Sequence, residues 1–189
     1  MSPSMKETRA ALIDAARIAA YIQKQELDWG IQELPSKYGE QGSADVVTYA
    51  DVRTEQALRS FFSRHLPEYS IIGEECGAQN SNNGKIITLD PLDGTKSFKA
   101  RLPCFGPAIG VYHYGTNVAG IEYNVLRDTM YVATEETGLE RIGNSYGDER
   151  RMVIFIGGDI KQSARFQSFC IRCKCVLQNI VCLPMSRMF

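Results

Sequence analysis

The chain has little histidine, little tryptophan and almost no net charge. Its 189 residues include two histidines and one tryptophan, and 21 basic residues nearly balance 22 acidic ones. His65 and His113 follow no metal-ligand spacing, so we expect both to be structural or solvated. A net charge of −1, with no basic stripe interleaved with aromatics, excludes the electrostatic footprint expected for binding a nucleic acid polymer.

Long apolar runs are also missing. No segment approaches the roughly 18 apolar residues that a membrane-spanning helix needs, so we expect no membrane association. The first residues, Met1 to Lys6, are not followed by the apolar stretch of a secretory signal, which favours a cytoplasmic location. In that compartment the six cysteines are expected to remain thiols.

Four of the cysteines lie near the end of the sequence. They are Cys170, Cys173, Cys175 and Cys182. The Cys-x-x-Cys-x-Cys run among them is compatible with a zinc or iron–sulfur site. No second ligand pair at the usual spacing accompanies the run, and one side of it is apolar. We therefore favour a tail without a metal site.

The remaining composition is that of a globular domain. Hydrophobic residues make up 44% of the chain, enough to bury one substantial core. Ser4 and Glu7 have the spacing of a capping box, and an apolar stripe from Leu12 onward predicts a long helix through about residue 27. A second helix, which carries Leu58 inward, is predicted to stop before Pro67.

Short β-prone runs follow the two helices. They comprise residues 86–89, 108–112, 118–125, 129–133 and 152–156. A turn at residues 126–128 connects two of the runs, which favours an antiparallel meander. Residues 78–84, rich in Asn and Ser, are predicted to form a mobile loop. Helices first and strands afterwards predict an α/β (α+β) fold, a layered sandwich of two N-terminal helices and a mainly antiparallel sheet.

The most informative stretch is Asp-Pro-Leu-Asp-Gly-Thr-Lys-Ser-Phe, from Asp90 to Phe98. It places the carboxylates of Asp90 and Asp93 three residues apart at the end of a buried strand, and Pro91 and Gly94 are interpreted as turn residues. Hard oxygen ligands in a short turn suit Mg²⁺, which leaves part of its coordination shell for substrate phosphate. The stretch therefore predicts metal-assisted hydrolysis of a phosphate ester.

Further acids precede this turn. Glu74 and Glu75 follow a short apolar strand, and the segment from Asp45 to Asp51 adds an acid at the head of the second helix. In these motifs and their order the chain resembles the inositol monophosphatase family. Members of that family are Mg²⁺-dependent, lithium-sensitive phosphomonoesterases, and they include bisphosphate nucleotidases and histidinol phosphatases. The resemblance covers roughly residues 5–156 and implies the same sandwich fold.

The resemblance implies two or three Mg²⁺ ions. Glu74, Asp90 and the Leu92 carbonyl would hold one ion, and Asp90 would bridge to a second ion that Asp93 also binds. A pair of metal ions about 3.5–4 Å apart is able to acidify a nucleophilic water and to stabilise the leaving oxygen of an in-line displacement.

The resemblance also implies catalytic and substrate-binding residues. Thr95 and Asp51 would orient and deprotonate the attacking water. Gly94 has no side chain, so backbone N–H groups there and at Thr95 approach the substrate phosphate closely. The implied partner is a small phosphorylated metabolite of the inositol monophosphate, 3′-phosphoadenosine 5′-phosphate or histidinol phosphate type, with Lys96 favouring the nucleotidase branch. The implied assembly is a homodimer.

Several of these residues have a plainer interpretation. Asp45 caps the following turn, rather than touching metal, in the interpretation that we favour. Asp51 is either the N-cap of its helix or catalytic, and we favour catalysis. Glu75 is either an outer-shell acid or an exposed one. Lys37 is either a cation near the metals or, as we favour, solvated. A single calcium loop is a weaker alternative, because the acids lie in three separate segments.

Beyond residue 158 the resemblance ends. We predict an inositol-monophosphatase-like N-terminal domain over residues 1–158 and a divergent Cys-containing tail over residues 159–189. Family members continue through a second half with a Trp-Asp-x-x-Ala-like motif that completes the second metal site, whereas Trp29 lies near the other end of this sequence. We therefore expect the fold to lack the C-terminal half. The alternative function is a truncated, catalytically impaired member that acts as a non-catalytic metal-binding or dimer-partner fragment.

Overall fold

Two long helices begin the fold. The structure, a computed structural model, describes residues 3–34, 47–79 and 84–144. Helix α1 spans Met5–Trp29 and helix α2 spans Tyr49–His65. The predicted capping box at Ser4 is present, since the Glu7 carboxylate accepts a hydrogen bond of 2.7 Å from the Ser4 N–H and the Ser4 hydroxyl accepts one from the Glu7 N–H. Helix α2 ends before Pro67, as predicted.

Within the described residues, seven strands and one short helix follow. They are β1 (Ser70–Gly73), β2 (Gly77–Gln79), β3 (Lys85–Asp93), α3 (Thr95–Lys99), β4 (Gly106–His113), β5 (Thr116–Asn124), β6 (Thr129–Thr134) and β7 (Gly138–Gly143). The strands form one sheet in the order β2-β1-β3-β4-β5-β6-β7. All neighbours are antiparallel except β1 and β3, which run parallel. The carboxyl ends of these two strands therefore meet at one edge.

The core lies between the two long helices and one face of the sheet. Helix α1 contacts β4, β5 and β6, and helix α2 contacts α1 and β3. The apolar side chains that are fully buried between these layers include Leu12, Leu58, Phe62, Ile87, Val111 and Val132. Burial of these side chains supplies most of the driving force for folding. The predicted layered sandwich of two helices and a mainly antiparallel sheet is confirmed.

The opposite face of the sheet carries acidic residues. Asp90 on β3 pairs with Ala108 on β4, and Ala108 pairs with Glu122 on β5. Side chains of directly paired residues project from the same face of a sheet. Asp90 and Glu122 therefore lie on one face, two strands apart, and that face is the one without α1 and α2.

Strand β3 differs from its prediction. It runs through Pro91 to Asp93, with a shift of register against β4 between Asp90 and Asp93. The interpretation of Pro91 as a turn residue is wrong, because an irregularity in the ladder leaves positions where no N–H donor is needed and proline is tolerated inside a strand there. The acids are thus held by the sheet rather than by a loose loop.

Other differences concern the edges of the sheet. Ala78 and Gln79 form part of β2 instead of the predicted loop, and β7 was not predicted. Strand β2 has only three residues, and the residues of β7 are exposed or partly buried. Neither sequence therefore shows the alternation of apolar and polar residues that predicts a strand. The predicted strand at residues 152–156 and the cysteines of the tail lie outside the described residues. In the described ranges, no helix combines the length and apolarity needed to cross a membrane.

Candidate metal and phosphate site

Two of the predicted metal ligands meet where the parallel strands end. The Glu74 N–H donates to the Leu89 carbonyl at 3.2 Å, which continues the pairing of β1 with β3. The carboxyl groups of Glu74 and Asp90 lie near enough to each other that Glu74 raises the pKa of Asp90. Glu74 is exposed and Asp90 is partly buried. The structure thus brings together acids from two segments that the sequence places 16 positions apart.

Negative charge is concentrated around Asp90. Burial raises the pKa of Asp90 well above its ordinary value, and the nearby charges of Asp93 and Glu74 raise it further. A hydrogen bond of 3.2 Å from the Leu92 N–H acts in the opposite direction. A bound cation would relieve this repulsion, since an opposite charge stabilises the ionised carboxylates.

Thr95 links the strand end to helix α2. Its hydroxyl oxygen lies 3.1 Å from the Leu92 carbonyl oxygen and 3.1 Å from Asp51 Oδ1. A hydroxyl has one proton to donate, so it bonds one of these acceptors at a time and retains lone pairs for a water molecule. Three of the predicted site residues are therefore joined through a single hydroxyl group.

Asp51 is not the N-cap of α2. The N-cap is Thr48, whose backbone is extended, and Asp51 occupies the third position of the helix. The Thr48 N–H and hydroxyl donate to Asp51 Oδ2 at 2.7 and 2.6 Å. Burial raises the pKa of Asp51, while the hydrogen bonds from Thr48 and Thr95 lower it. The Asp51 carboxylate is thus oriented by one hydroxyl on each oxygen.

Gly94 forms the turn between β3 and α3. It has a φ of 83°, the left-handed conformation that favours glycine, and a Cβ there would lie 2.5 Å from the Cys104 carbonyl oxygen. Gly94 is the N-cap of α3, and Thr95 is the first residue of this helix. The backbone at this position accepts only glycine without distortion.

Some side chains close to the predicted site residues were missed by the sequence interpretation. Glu122 is partly buried, and burial together with the charge of Asp93 raises its pKa to about 7. The available signal was an acid within the mostly apolar run of residues 118–123 in this strand. Gln23 donates from its side-chain amide to the Pro91 carbonyl at 2.7 Å, and Glu55 is completely buried on α2. No local sequence pattern predicts the contact of Gln23 or the burial of Glu55, because both depend on tertiary packing.

Of the other residues considered from the sequence, some lie within the described part of the chain and some lie outside it. Glu75 is partly buried, and its charge raises the pKa of Asp51. Lys37 and Asp45 lie outside the described residues and stay predictions. His65 stacks on Phe61. Across residues 3–34, 47–79 and 84–144, no group of three or more His, Cys, Asp or Glu side chains is spaced to enclose a metal ion.

Carboxylates gathered at the ends of neighbouring strands supply the oxygen ligands with which proteins hold Mg²⁺ against a substrate phosphate. The sequence profile of the inositol monophosphatase family matches residues 4–155. This chain therefore belongs to the inositol monophosphatase family, as the resemblance of its motifs predicts.

Individual relatives agree with this assignment. An inositol-1-monophosphatase of Caulobacter vibrioides is 34% identical over 123 residues, which are 64% of this chain and 46% of the relative. A fructose-1,6-bisphosphatase/inositol-1-monophosphatase of Aquifex aeolicus is 28% identical over 127 residues, 67% of this chain and 48% of the relative. The crystal structure of extragenic suppressor protein suhB from Bartonella henselae has a TM-score of 0.62 and 27% identity, and covers 70% of this chain and 50% of that one. The chain spans about half the length of the curated relatives it matches.

Proposed function

We propose that this chain is a Mg²⁺-dependent phosphomonoesterase that hydrolyses the phosphate monoester of a small metabolite. The observation that carries the proposal is one cluster of contacts. Glu74 and Asp93 lie near enough to Asp90 to raise its pKa, and the Thr95 hydroxyl, at the end of the same strand, is hydrogen-bonded to Asp51. Cation ligands and a group able to accept a proton are thereby gathered in one place, which is what hydrolysis by an activated water requires.

The donor set fits Mg²⁺. Glu74, Asp90, Asp93 and the Leu92 carbonyl supply hard oxygen atoms, and Mg²⁺ is usually held by only one or two carboxylates together with several waters. The lack of a larger cluster in the described part of the chain is therefore compatible with it. We propose two or three ions at these residues. When bound, the ions would supply the positive charge that acidifies an attacking water and stabilises the leaving oxygen.

Asp51 and Thr95 serve as the proton-accepting pair in this proposal. Thr48 occupies Asp51 Oδ2, which leaves Oδ1 to receive a proton through the Thr95 hydroxyl. Burial shifts the pKa of Asp51 upward, towards neutral pH, and a general base is most effective when its pKa lies near the working pH. The pair would orient the attacking water and remove its proton.

Gly94 and Thr95 contact the phosphate in this proposal. Gly94 presents no side chain, so the backbone there allows a phosphate group to approach closely. Helix α3 has only five residues, so its dipole is a minor contribution and bound cations carry most of the charge. The substrate is proposed to be of the inositol monophosphate, 3′-phosphoadenosine 5′-phosphate or histidinol phosphate type. Lithium sensitivity, a homodimer and a cytoplasmic location complete the proposal.

A second candidate is a non-catalytic member that binds metal or serves as a dimer partner. It is favoured by the spacing of the acids, because no three metal-ligating side chains enclose an ion in the ranges that the structure describes. In that case the contacts of Glu74 and Asp90 would still support a cation, but no turnover would follow.

Phosphate release separates the two candidates. The purified chain would be incubated with Mg²⁺ and each of the three substrate types, alongside Asp90→Asn. This change retains the side-chain volume and removes the charge of the carboxylate proposed to bridge two of the ions. The expected result is release by the unaltered chain that is lost in the variant. Equal background release by both proteins, with circular dichroism showing both folded, would reject the enzyme and support the second candidate.

A further inference from the structure

A buried ion pair holds the segment that carries Glu74. The Glu55 side chain is fully buried on α2. Its Oε2 accepts a hydrogen bond of 2.7 Å from the Glu75 N–H, and its Oε1 accepts one of 3.1 Å from the Cys76 N–H. Arg59, one turn along the same helix, donates from Nε to Oε1 at 2.8 Å. Both carboxylate oxygens are therefore occupied by donors.

Arg59 extends this arrangement to the next residue of the turn. Its guanidinium also donates to the Gly77 carbonyl oxygen. Arg59 thus contacts the carboxylate of Glu55 and the backbone of the turn at once, as its planar group of donors allows. The turn between β1 and β2 is attached to α2 through three consecutive residues, residues 75–77.

Gly73 shows how closely the carboxylate approaches the chain. A Cβ at Gly73 would lie 2.1 Å from Glu55 Oε1. The glycine is needed because the carboxylate occupies the space of a side chain directly before Glu74. On the other side, the Glu74 N–H is bonded to the Leu89 carbonyl of β3. The backbone around Glu74 is therefore fixed by α2 and by the sheet.

This placement does not follow from helix electrostatics. Glu55 lies beyond the first turn of α2, where the helix dipole has little effect on a carboxylate. Burying a charged group is unfavourable unless it is paired and hydrogen-bonded. The three donors meet that requirement, and two of them belong to the segment that follows Glu74.

We infer that Glu55 is a positioning residue for cation binding, which acts by fixing the backbone from which Glu74 reaches Asp90. The Glu74 side chain is exposed, so the position of its backbone determines how the carboxyl group reaches Asp90. A ligand that is already oriented loses less conformational freedom when the cation binds. The inference rests on the proposed function, because it takes Glu74 as a metal ligand.

The test is the substitution Glu55→Gln in the full chain. Glutamine has the shape of glutamate but only one acceptor oxygen, so its NH₂ group must face either the Glu75 N–H or the two donors at Oε1. Isothermal titration with Mn²⁺ as the probe is expected to show a dissociation constant raised about tenfold, the effect of losing an outer-shell partner. Glu140→Gln is the matched control, since Glu140 pairs with Arg9 through both oxygens on strand β7. Its Mn²⁺ affinity should equal that of the unaltered chain.

Three further comparisons make the result decisive. Glu74→Gln removes the proposed ligand directly, so an unchanged affinity there, or no binding by the unaltered chain, would reject the proposed function. A weakened Glu74→Gln together with an unaffected Glu55→Gln would overturn the positioning role and leave the proposed function standing. A purely structural role predicts lower stability towards urea in EDTA with an unchanged dissociation constant.

If Glu55→Gln does not fold, Arg59→Lys replaces it. Lysine keeps the charge but cannot bridge Glu55 and the Gly77 carbonyl as the guanidinium does. A raised Mn²⁺ dissociation constant would support the inference, and an unchanged one would overturn it.

Discussion

Glu122 is an ionisable group in a place where the sequence otherwise supplies apolar residues. It lies on the same face of the sheet as Asp90, and its pKa of about 7 is above the ordinary 4.5 because of burial and the charge of Asp93. A carboxyl group that is easier to protonate in the folded state destabilises the fold when it ionises. Ionisation of the acids on this face therefore lowers the folding stability of the metal-free protein as the pH rises.

The substitution Glu122→Gln should remove part of this pH dependence. Between about pH 4.5 and 7 the folded chain binds more protons than the unfolded chain at this group, so its contribution to stability falls as the pH rises. One pKa unit corresponds to about 1.4 kcal/mol, and partial exposure reduces the effect, so we expect a gain of about 1–2 kcal/mol for the variant at pH 8. Urea unfolding in EDTA at pH 5 and pH 8 measures it.

The control for this prediction is Glu136→Gln, the same change at an exposed position. That variant should follow the unaltered chain at both pH values. Parallel stability curves for Glu122→Gln and the unaltered chain would show that Glu122 ionises without cost.

At the scale of elements, the junction of β3 with α3 determines where the site residues lie. Leu92 is buried, Gly94 turns the chain in a left-handed conformation, and Thr95 follows within reach of Asp51. The short helix α3 is anchored by the buried Phe98, whose ring packs edge-on against that of Phe105 with 5.0 Å between the ring centroids. A change in the turn would therefore move the hydroxyl group that connects two segments.

Gly94→Ala should destabilise the chain more than Gly77→Ala. Both glycines have left-handed φ values, 83° and 68°, but a Cβ at Gly94 meets the Cys104 carbonyl oxygen at 2.5 Å whereas nothing lies within 4 Å at Gly77. We expect about 1 kcal/mol for the conformation alone at Gly77 and about 3 kcal/mol at Gly94, where a backbone collision adds to it. Urea unfolding compares the two variants, and equal costs would contradict the collision.

The sequence predicts helices better than it predicts the site contacts. The capping box at Ser4 and the apolar stripe of α1 are local patterns, and the structure bears them out. The acids after β1 and β3 are local signals too. The contact of Glu55 with residue 75 joins positions 20 apart, and helix periodicity says nothing of it. The interpretation of Pro91 as a turn residue was wrong because proline occurs both in turns and at irregularities within strands, and the sequence alone does not distinguish the two.

At the scale of the molecule, one sheet and two helices hold several carboxylates at an edge where their charges repel each other. The fold tolerates this because α1 and α2 bury a large apolar core on the other face. Binding a cation to the folded state alone would add stability through linkage. A bound cation should therefore add to the folding stability of this chain.

Mg²⁺ is expected to stabilise the chain against unfolding. At a concentration of one hundred times the dissociation constant, linkage predicts about 2.7 kcal/mol. The effect should be larger at pH 8 than at pH 5.5, because protons compete with the cation for carboxylates such as Asp90, whose pKa is raised. Thermal unfolding with Mg²⁺, or with NaCl at equal ionic strength, measures the shift. Asp90→Asn should show none, and an equal shift with NaCl would point to general screening.

The hydrogen bond between Thr95 and Asp51 joins positions 44 apart, and the one between Glu55 and Cys76 joins positions 21 apart. Contacts of this separation form only after large loops have closed, which makes them slower than a helix or a hairpin. We therefore expect the acidic site to be assembled in the last stage of folding. A partly folded chain would show the helical content of α1 and α2 yet hold no cation, so that metal uptake reports on completed topology rather than on secondary structure.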